Sequence, residues 1–263
     1  MVSHAATCLS VLLLTEDSGA KAFETFRSLA KELLKQVDEY VQTHKIAFEP
    51  VRDELALQAL HANVWKSTNP RDRQKQVELI RTLATQVMLE DGGALFHFDG
   101  DRAWGSRDSS ENVEKFQTLV REKVQALLEL KLAEQRSGSS PREVEAHARA
   151  RLVRLKTVVP FYSIEAWLFQ NTREAIRLCQ ERYNGRDVEQ FHAWAQDRTA
   201  LDEVLKPKEA VCLGAAHNLE LASNGFPSRE VRAAGRSFDA VVAEVLSQDA
   251  ELREALARTY AYG

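Results

Sequence analysis

Apolar positions along the chain follow two rhythms, one of short continuous runs and one of stripes spaced by three and four. The run from Cys8 to Leu14 ends in Thr15, Glu16, Asp17, Ser18 and Gly19, the composition of a buried parallel strand followed by an acidic loop. Phe23, Phe26, Leu29, Ala30, Leu33, Leu34, Val37, Tyr40 and Val41 then recur at helical spacing, which predicts a helix with one apolar face to lay on a sheet. Together they form the first half of a βαβ unit. Lys45 to Val51 reads as a second, weakly marked strand, and Arg52 to Trp65 is more helical than extended, up to a break at Ser67 to Pro70. Asn69 supplies an N-cap and Pro70 the first position of the next helix, whose stripe is Val77, Ile80, Leu83, Ala84, Val87 and Met88.

In the stretch Gly92 to Trp104, GGALFHFDGDRAW, two glycines release the chain from that helix. Ala94 to Phe98 make a short apolar strand, and Asp99, Gly100 and Asp101 follow at once. A polar stretch, GSRDSSEN, precedes a second amphipathic helix marked by Phe116, Leu119, Val120, Val124, Leu127 and Leu128, and QRSGSSP (Gln135 to Pro141) reads as an exposed turn. Thr157 to Tyr162, TVVPFY, is a β-branched and aromatic strand that Pro160 confines to an edge or an end. Ser163 then stands as an N-cap, with Glu165 in the first helical turn. From Thr172 onward the pattern is helical, broken at Gly185, Pro207 and Asn224 to Ser228, with an apolar face at Phe238, Val241, Val242, Val245 and Leu246. Strands alternating with helices predict an α/β fold, a mostly parallel sheet flanked by helices. The expected division is a strand-bearing α/β domain over 1–171, carrying helical insertions at about 52–90 and 105–156. A helical region over 172–263 packs on that core or on a partner.

Composition narrows the function classes. The chain has 263 residues, 44% of them hydrophobic and 28% charged, and a net charge of −4; this is ordinary for a globular protein and gives no global attraction to polyanions. No apolar run reaches the roughly 18 residues needed to cross a bilayer, and the start lacks the basic region of a signal peptide, so a cytoplasmic protein without a membrane partner is expected. Three cysteines, Cys8, Cys179 and Cys212, stand far apart and suggest neither a disulfide framework nor a zinc ribbon. The seven histidines show no HExxH spacing, and GxSxG and Walker loops are absent, which excludes the usual zinc hydrolase, serine hydrolase and autonomous nucleotide hydrolase.

What remains is carboxylate chemistry. In an open parallel sheet, ligands sit beyond the carboxyl ends of the strands, so Glu16, Asp99, Asp101 and Glu165 are expected to converge as the strands ending near Leu14, Phe98 and Val159 come together. Clustered carboxylates repel, and a hard divalent cation is the usual remedy. Each acid also has an ordinary explanation: Asp and Gly favour turns, and an acid in a first helical turn suits the helix dipole. Arg142, Arg149, Arg151, Arg154 and Lys156 form the densest basic region, a solvated helix face or a phosphate contact. Arg102, Arg149, Arg151, Arg154 and Lys156 are the candidate nucleic-acid contacts.

An early strand ending in Glu and a later strand ending in DxD, here Glu16 with Asp99 and Asp101, resembles the Toprim (topoisomerase-primase) domain. VPFYSIEAWLFQN, Val159 to Asn171, is similar to the Glu-Ala-Trp-Leu segment of Toprim-like nucleases related to the OLD family and of anti-phage defence proteins encoded beside ATPases. The resemblance covers roughly Cys8 to Asn171. It implies Mg2+ or Mn2+ held by Glu16, Asp99, Asp101 and Glu165, cleavage of a DNA or RNA backbone, an ABC- or AAA-type ATPase partner and a possible homo-oligomer. Two features depart from the pattern: the intervals from Glu16 to Asp99 and from Asp101 to Glu165 are longer than in a compact Toprim core. Two other readings stay open, a catalytically weak Toprim scaffold that binds a partner or nucleic acid, and a DxD metal-dependent transferase, which leaves Glu16 without a role.

Overall fold

The structure, a computed structural model, describes residues 9–60, 64–65, 67–136, 138–204 and 211–261. Cys8, Pro207 and parts of the 52–65 stretch and of the 135–141 turn lie outside the described residues. Four strands, β1 (Leu9–Thr15), β2 (Ile46–Pro50), β3 (Gly92–His97) and β4 (Leu155–Val158), form one all-parallel sheet in the order β2-β1-β3-β4. The fold class is therefore α/β, as the alternation of elements predicts.

Period-two geometry sends successive side chains of a strand to opposite faces, and both faces are covered. Val11 and Leu13 of β1, Leu95 of β3 and Val158 of β4 enter one apolar cluster. Leu12 and Leu14, Ala94 and Phe96, and Leu155 enter the other. The first cluster is closed by α1 (Ala22–Val37) and by helices of the C-terminal region: α8 (Thr172–Tyr183), α9 (Val188–Gln196), α10 (Asn218–Ser223), α11 (Ser228–Ala233), α12 (Arg236–Ala240) and α13 (Ala250–Ala261). The second is closed by α2 (Glu54–Gln58), α3 (Pro70–Met88), the segment Phe116–Arg121 that continues α4 (Glu111–Lys115) into α5 (Glu122–Gln135), α5 itself, and α6 (Pro141–Leu152). The region after Thr172 thus completes one face of the sheet: Phe26 and Leu29 of α1 share their cluster with Phe238 and Leu246. Each such fully buried side chain contributes about 1.5–3 kcal/mol of transfer free energy.

Local boundaries follow from identifiable groups. The Asn69 side chain accepts a hydrogen bond from Arg71 N–H (2.9 Å) with Pro70 at the first position of α3, as expected. α1 stops at Val37, four residues short of the apolar pattern, because Asp38 is extended and its carboxylate accepts from Tyr40 N–H at 2.9 Å, turning the chain out of the helix. β4 ends at Val158, before Pro160, which has no N–H to give; its carbonyl instead accepts from Gly100 N–H at 2.9 Å. Ser163 does not cap α7 (Glu165–Leu168): Ile164 occupies that position and no side chain caps the helix.

Candidate functional site

In the order β2-β1-β3-β4 the chain winds outward from β1 to β2, then returns to the other side of β1 for β3. The crevice beyond β1 and β3 is the topological switch point, where ligands of open α/β sheets bind. Glu16 and Asp99 stand there. β1 and β3 pair from Ser10 with Gly92 through Thr15 with His97, and just past the last pair Glu16 Oε1 accepts a hydrogen bond from the Asp99 backbone N–H at 2.6 Å.

The DGD turn is built by its neighbours. Gly100 N–H and Asp101 N–H donate to the carbonyls of Pro160 and Tyr162, at 2.9 and 3.1 Å, extending the β3–β4 pairing past both strands. A Cβ on Gly100 would stand 2.5 Å from the Phe161 ring, so the middle residue of the motif can only be glycine. Asp101 adopts a left-handed φ of 52°, a conformation that Asp tolerates better than most residues. The start of α4 clamps the turn from above: the Ser110 hydroxyl donates to Gly100 O at 2.7 Å, and Asn112 Nδ2 donates to Asp99 O at 2.8 Å and to Asp101 Oδ2 at 2.9 Å.

Glu165 arrives from β4. It is buried (3% exposed), and its oxygens accept from the Ser163 hydroxyl at 2.7 Å and from Asn218 Nδ2, at the start of α10, at 3.1 Å. Ile164 N–H donates to Asp99 Oδ1 at 3.0 Å, which ties the Glu165 segment to the DGD turn. Burial is the first cause that raises the Asp99 carboxyl above its ordinary value; the charges of Asp17 and Glu165 add to it and His97 opposes it. The Glu16 carboxyl is raised from 4.5 to about 7, first by burial and then by the charge of Asp99, against the Asp99 N–H bond and the His97 charge.

His97 belongs to this cluster although its sequence position drew no attention. Its ring is fully buried (0% exposed), with Nδ1 2.9 Å from Thr15 Oγ1 and Nε2 3.5 Å from Asp99 Oδ1, longer than a good hydrogen bond. Burial alone would lower its pKa, but the Asp99 carboxylate, with Asp17 and Glu16, outweighs it and the net shift is upward. The signal was a polar residue at the end of a buried strand, between Phe96 and Phe98. Asp17, Asn112 and Asn218 were missed as well. Asp17 sits beside Glu16 in the sequence, but nothing local marks either asparagine.

The basic candidates other than Arg102 make their contacts elsewhere. Arg102 adjoins the acids, but Nη1 donates to its neighbour's carbonyl, Asp101 O, at 2.8 Å. Arg149 pairs with Glu145 on α6. Arg151 donates to Leu89 O at 3.4 Å, Arg154 binds Glu251 (2.9 Å) and the carbonyls of Leu89 and Glu90, and Lys156 binds Asp249 at 3.0 Å. Leu89 and Glu90 precede β3 and Arg154 precedes β4, so these contacts sit at the amino ends of the strands, across the sheet from the acids.

Three of the carboxylates leave an oxygen open to a ligand. Glu16, Asp99 and Asp101 each have one oxygen fixed by an N–H donor, and among the described residues no hydrogen bond engages the other oxygen. Nor does any Lys or Arg among the described residues form an ion pair with these three acids. Carboxylate oxygens are the donors that magnesium or manganese takes from a protein, but as placed no three of these acids bring one oxygen each within 4.8 Å of one another. No family model, no curated protein and no solved structure matches this chain.

Proposed function

We propose that the protein is a metal-dependent phosphodiesterase acting on DNA or RNA, with Glu16, Asp99, Asp101 and Glu165 as its acidic centre. The observation that carries this reading is the convergence of Glu16 and Asp99 at the β1/β3 switch point, with Asp101 and Glu165 tied to the same turn. The pairing of one carboxylate from β1 with a DGD turn after β3 also supports the resemblance to Toprim nucleases over the transferase alternative, which gives Glu16 nothing to do. The involvement of an ATPase partner and a role in anti-phage defence rest on that sequence resemblance.

Glu16, Asp99, Asp101 and Glu165 would hold a divalent cation here, which when bound would supply Lewis-acid stabilisation of the phosphoryl oxygens in an in-line displacement. The protein's own part is positioning. Backbone donors aim Glu16 and Asp99, Asn112 fixes Asp101 at its left-handed position, and Ser163 with Asn218 holds Glu165 at the edge of the group. His97, buried behind Asp99, places a partial positive charge on the inner side of the cluster, which stabilises the ionised carboxylates before any ligand arrives.

Calorimetric titration of the full chain with Mg2+ or Mn2+, paired with cleavage assays on duplex DNA, single-stranded DNA and RNA with and without the ATPase of its native operon, tests the reading. Metal binding that disappears in Asp99→Ala together with cleavage is expected. Cleavage that persists in Asp99→Ala, or metal binding with no cleavage of any nucleic acid in the reconstituted complex, overturns it.

A further inference from the structure

Cys179 and Cys212 are separated by 33 residues, and the fold brings them together. Cys179 lies in the last turns of α8, fully buried. The helix then stops on Asn184 and Gly185, both left-handed (φ 54° and 71°), with Gly185 N–H returned to the Cys179 carbonyl at 3.0 Å. That reversal carries Asp187 back over the cysteine, where its N–H donates to Cys179 Sγ at 3.4 Å. Cys212 approaches from the segment before α10, its thiol donating to Cys179 Sγ at 2.7 Å. One ligand atom from each of Cys179, Asp187 and Cys212 lies within 4.8 Å of the others.

We infer that these three side chains form a site for a thiophilic divalent cation of the zinc class. Two sulfurs and a carboxylate oxygen are a ligand set that zinc accepts with a fourth position left for water. A second feature points to a ligand. Asp187 Oδ2 is buried without a hydrogen-bond partner, met by Nε of the largely exposed Arg186 in an ion pair at 3.5 Å, so a cation at the two sulfurs would give this oxygen a ligand bond that the chain leaves unmade. A disulfide would use the sulfurs and leave that oxygen unmatched. Sulfurs at about 2.3 Å from a tetrahedral zinc stand about 3.8 Å apart. Metal binding therefore requires Cys212, the partly exposed member on a loop, to draw back by about 1 Å. The Asp187 N–H on Cys179 Sγ is the kind of donor that stabilises and orients a metal-bound thiolate.

The site would pin together the end of α8, the start of α9 and the segment that delivers Asn218 to Glu165, six residues past Cys212. It shares no residue with the acidic centre, so the two assignments stand or fall separately.

Full-length protein, reduced with a phosphine and freed of metal, is titrated with Co2+. The expected result is one equivalent bound with a near-ultraviolet thiolate-to-cobalt band and tetrahedral visible bands, proton release as the thiols ionise, and displacement by one equivalent of Zn2+. Cys212→Ser should abolish the charge-transfer pattern of two thiolates and weaken zinc binding at least ~100-fold, and Asp187→Asn should weaken it about 10-fold while keeping the sulfur band. Cys8→Ser and Asp99→Ala should leave the spectrum unchanged. Three outcomes overturn the assignment: no thiolate band at micromolar cobalt in reduced wild-type protein, whether or not the pair oxidises to a disulfide in air; a band that survives Cys212→Ser or vanishes in Cys8→Ser; or unchanged affinity in Asp187→Asn. The wild-type titration decides even if Cys212→Ser fails to fold.

Discussion

At the amino ends of the strands, three cations meet carboxylates: Lys156 meets Asp249 at 3.0 Å, Arg154 meets Glu251 at 2.9 Å and Arg258 meets Asp91 at 3.0 Å. These pairs rim a cavity of about 310 Å3 floored by Leu9, Val11 and Leu95. At the carboxyl ends of the same strands, Glu16, Asp17, Asp99 and Asp101 gather with no Lys or Arg ion pair among the described residues, and burial, with the charges of neighbouring acids added, makes Glu16 and Asp99 harder to ionise. Both ends are built on the same backbone, and both bury charge. The difference lies in who supplies the opposite charge. Where the chain supplies it in full, the cost of desolvation is offset internally and the arrangement serves stability; where it supplies only His97, the fold carries a cost that a bound proton or a ligand relieves, the pattern that marks functional sites.

The largest expected effect falls on the acid end. Asp99→Ala should lower cleavage by at least about a thousandfold, the scale of losing a group that stabilises developing charge. The metal-free variant should unfold at a higher urea midpoint than wild type, because a repelling charge is gone. A variant that keeps more than a tenth of the activity would erase the distinction between the two ends.

Next is the paired end. Lys156→Met leaves Asp249 (6% exposed) buried without its cation, which should cost about 3–5 kcal/mol in denaturant unfolding. Metal affinity at the acids should stay at the wild-type value. A loss below ~1 kcal/mol would mean that this pair is no better than an exposed one.

The pH dependence comes third. Glu16 has a folded value raised to about 7 from 4.5, so the folded state holds the extra proton and the metal-free protein loses stability as pH rises between those values, by at most roughly 3 kcal/mol. His97 is raised as well; its contribution is present at low pH and fades as pH climbs past its folded value, extending the decline in the same direction. Glu174 and Glu220, held low first by Arg177 and Arg182 respectively, act in the opposite sense and only below about pH 4.5. Urea midpoints across this range should therefore fall for wild type, fall less steeply for Glu16→Gln, in which Asp99, His97 and the buried Asp202 (raised to about 7, first by burial) still act in the same sense, and recover on adding Mg2+. A midpoint that rises from pH 5 to 7 in the absence of metal would refute the account of Glu16.

The smallest effect is expected where the sequence suggested substrate contact. Arg151→Ala with Arg154→Ala removes interactions with Glu251 and the Leu89 and Glu90 carbonyls, and should cost about 1 kcal/mol, the range of exposed pairs. Cleavage rate and its salt dependence should not change; a shallower salt slope would show that nucleic acid reaches across to the amino ends.

Much of this was legible in the chain. The three-four spacing of Phe26, Leu29, Ala30, Leu33 and Leu34 required a helix, and Asn69-Pro70 required a helix start, because capping and periodic burial are local requirements. Apolar runs ending in Glu16 and in Asp99-Gly100-Asp101 marked strand ends, since carboxylates cannot continue into a buried sheet. The basic residues could also have been placed: Arg154 and Lys156 lie at the start of a parallel strand and therefore at its amino end, away from acids that follow their strands. Tertiary structure alone decided which strands are neighbours. Strand order makes β1 adjacent to β3 and sets Glu16 against the Asp99 amide across 83 residues, and no property of either segment specifies that pairing, because hydrogen bonding between parallel strands is the same whatever the sequence between them. For the same reason Asn218, brought to Glu165, and Cys179, brought to Cys212, carry no local sign of their partners: their meeting depends on helices of the C-terminal region packing on α1, a consequence of buried area summed over dozens of side chains and not of any motif.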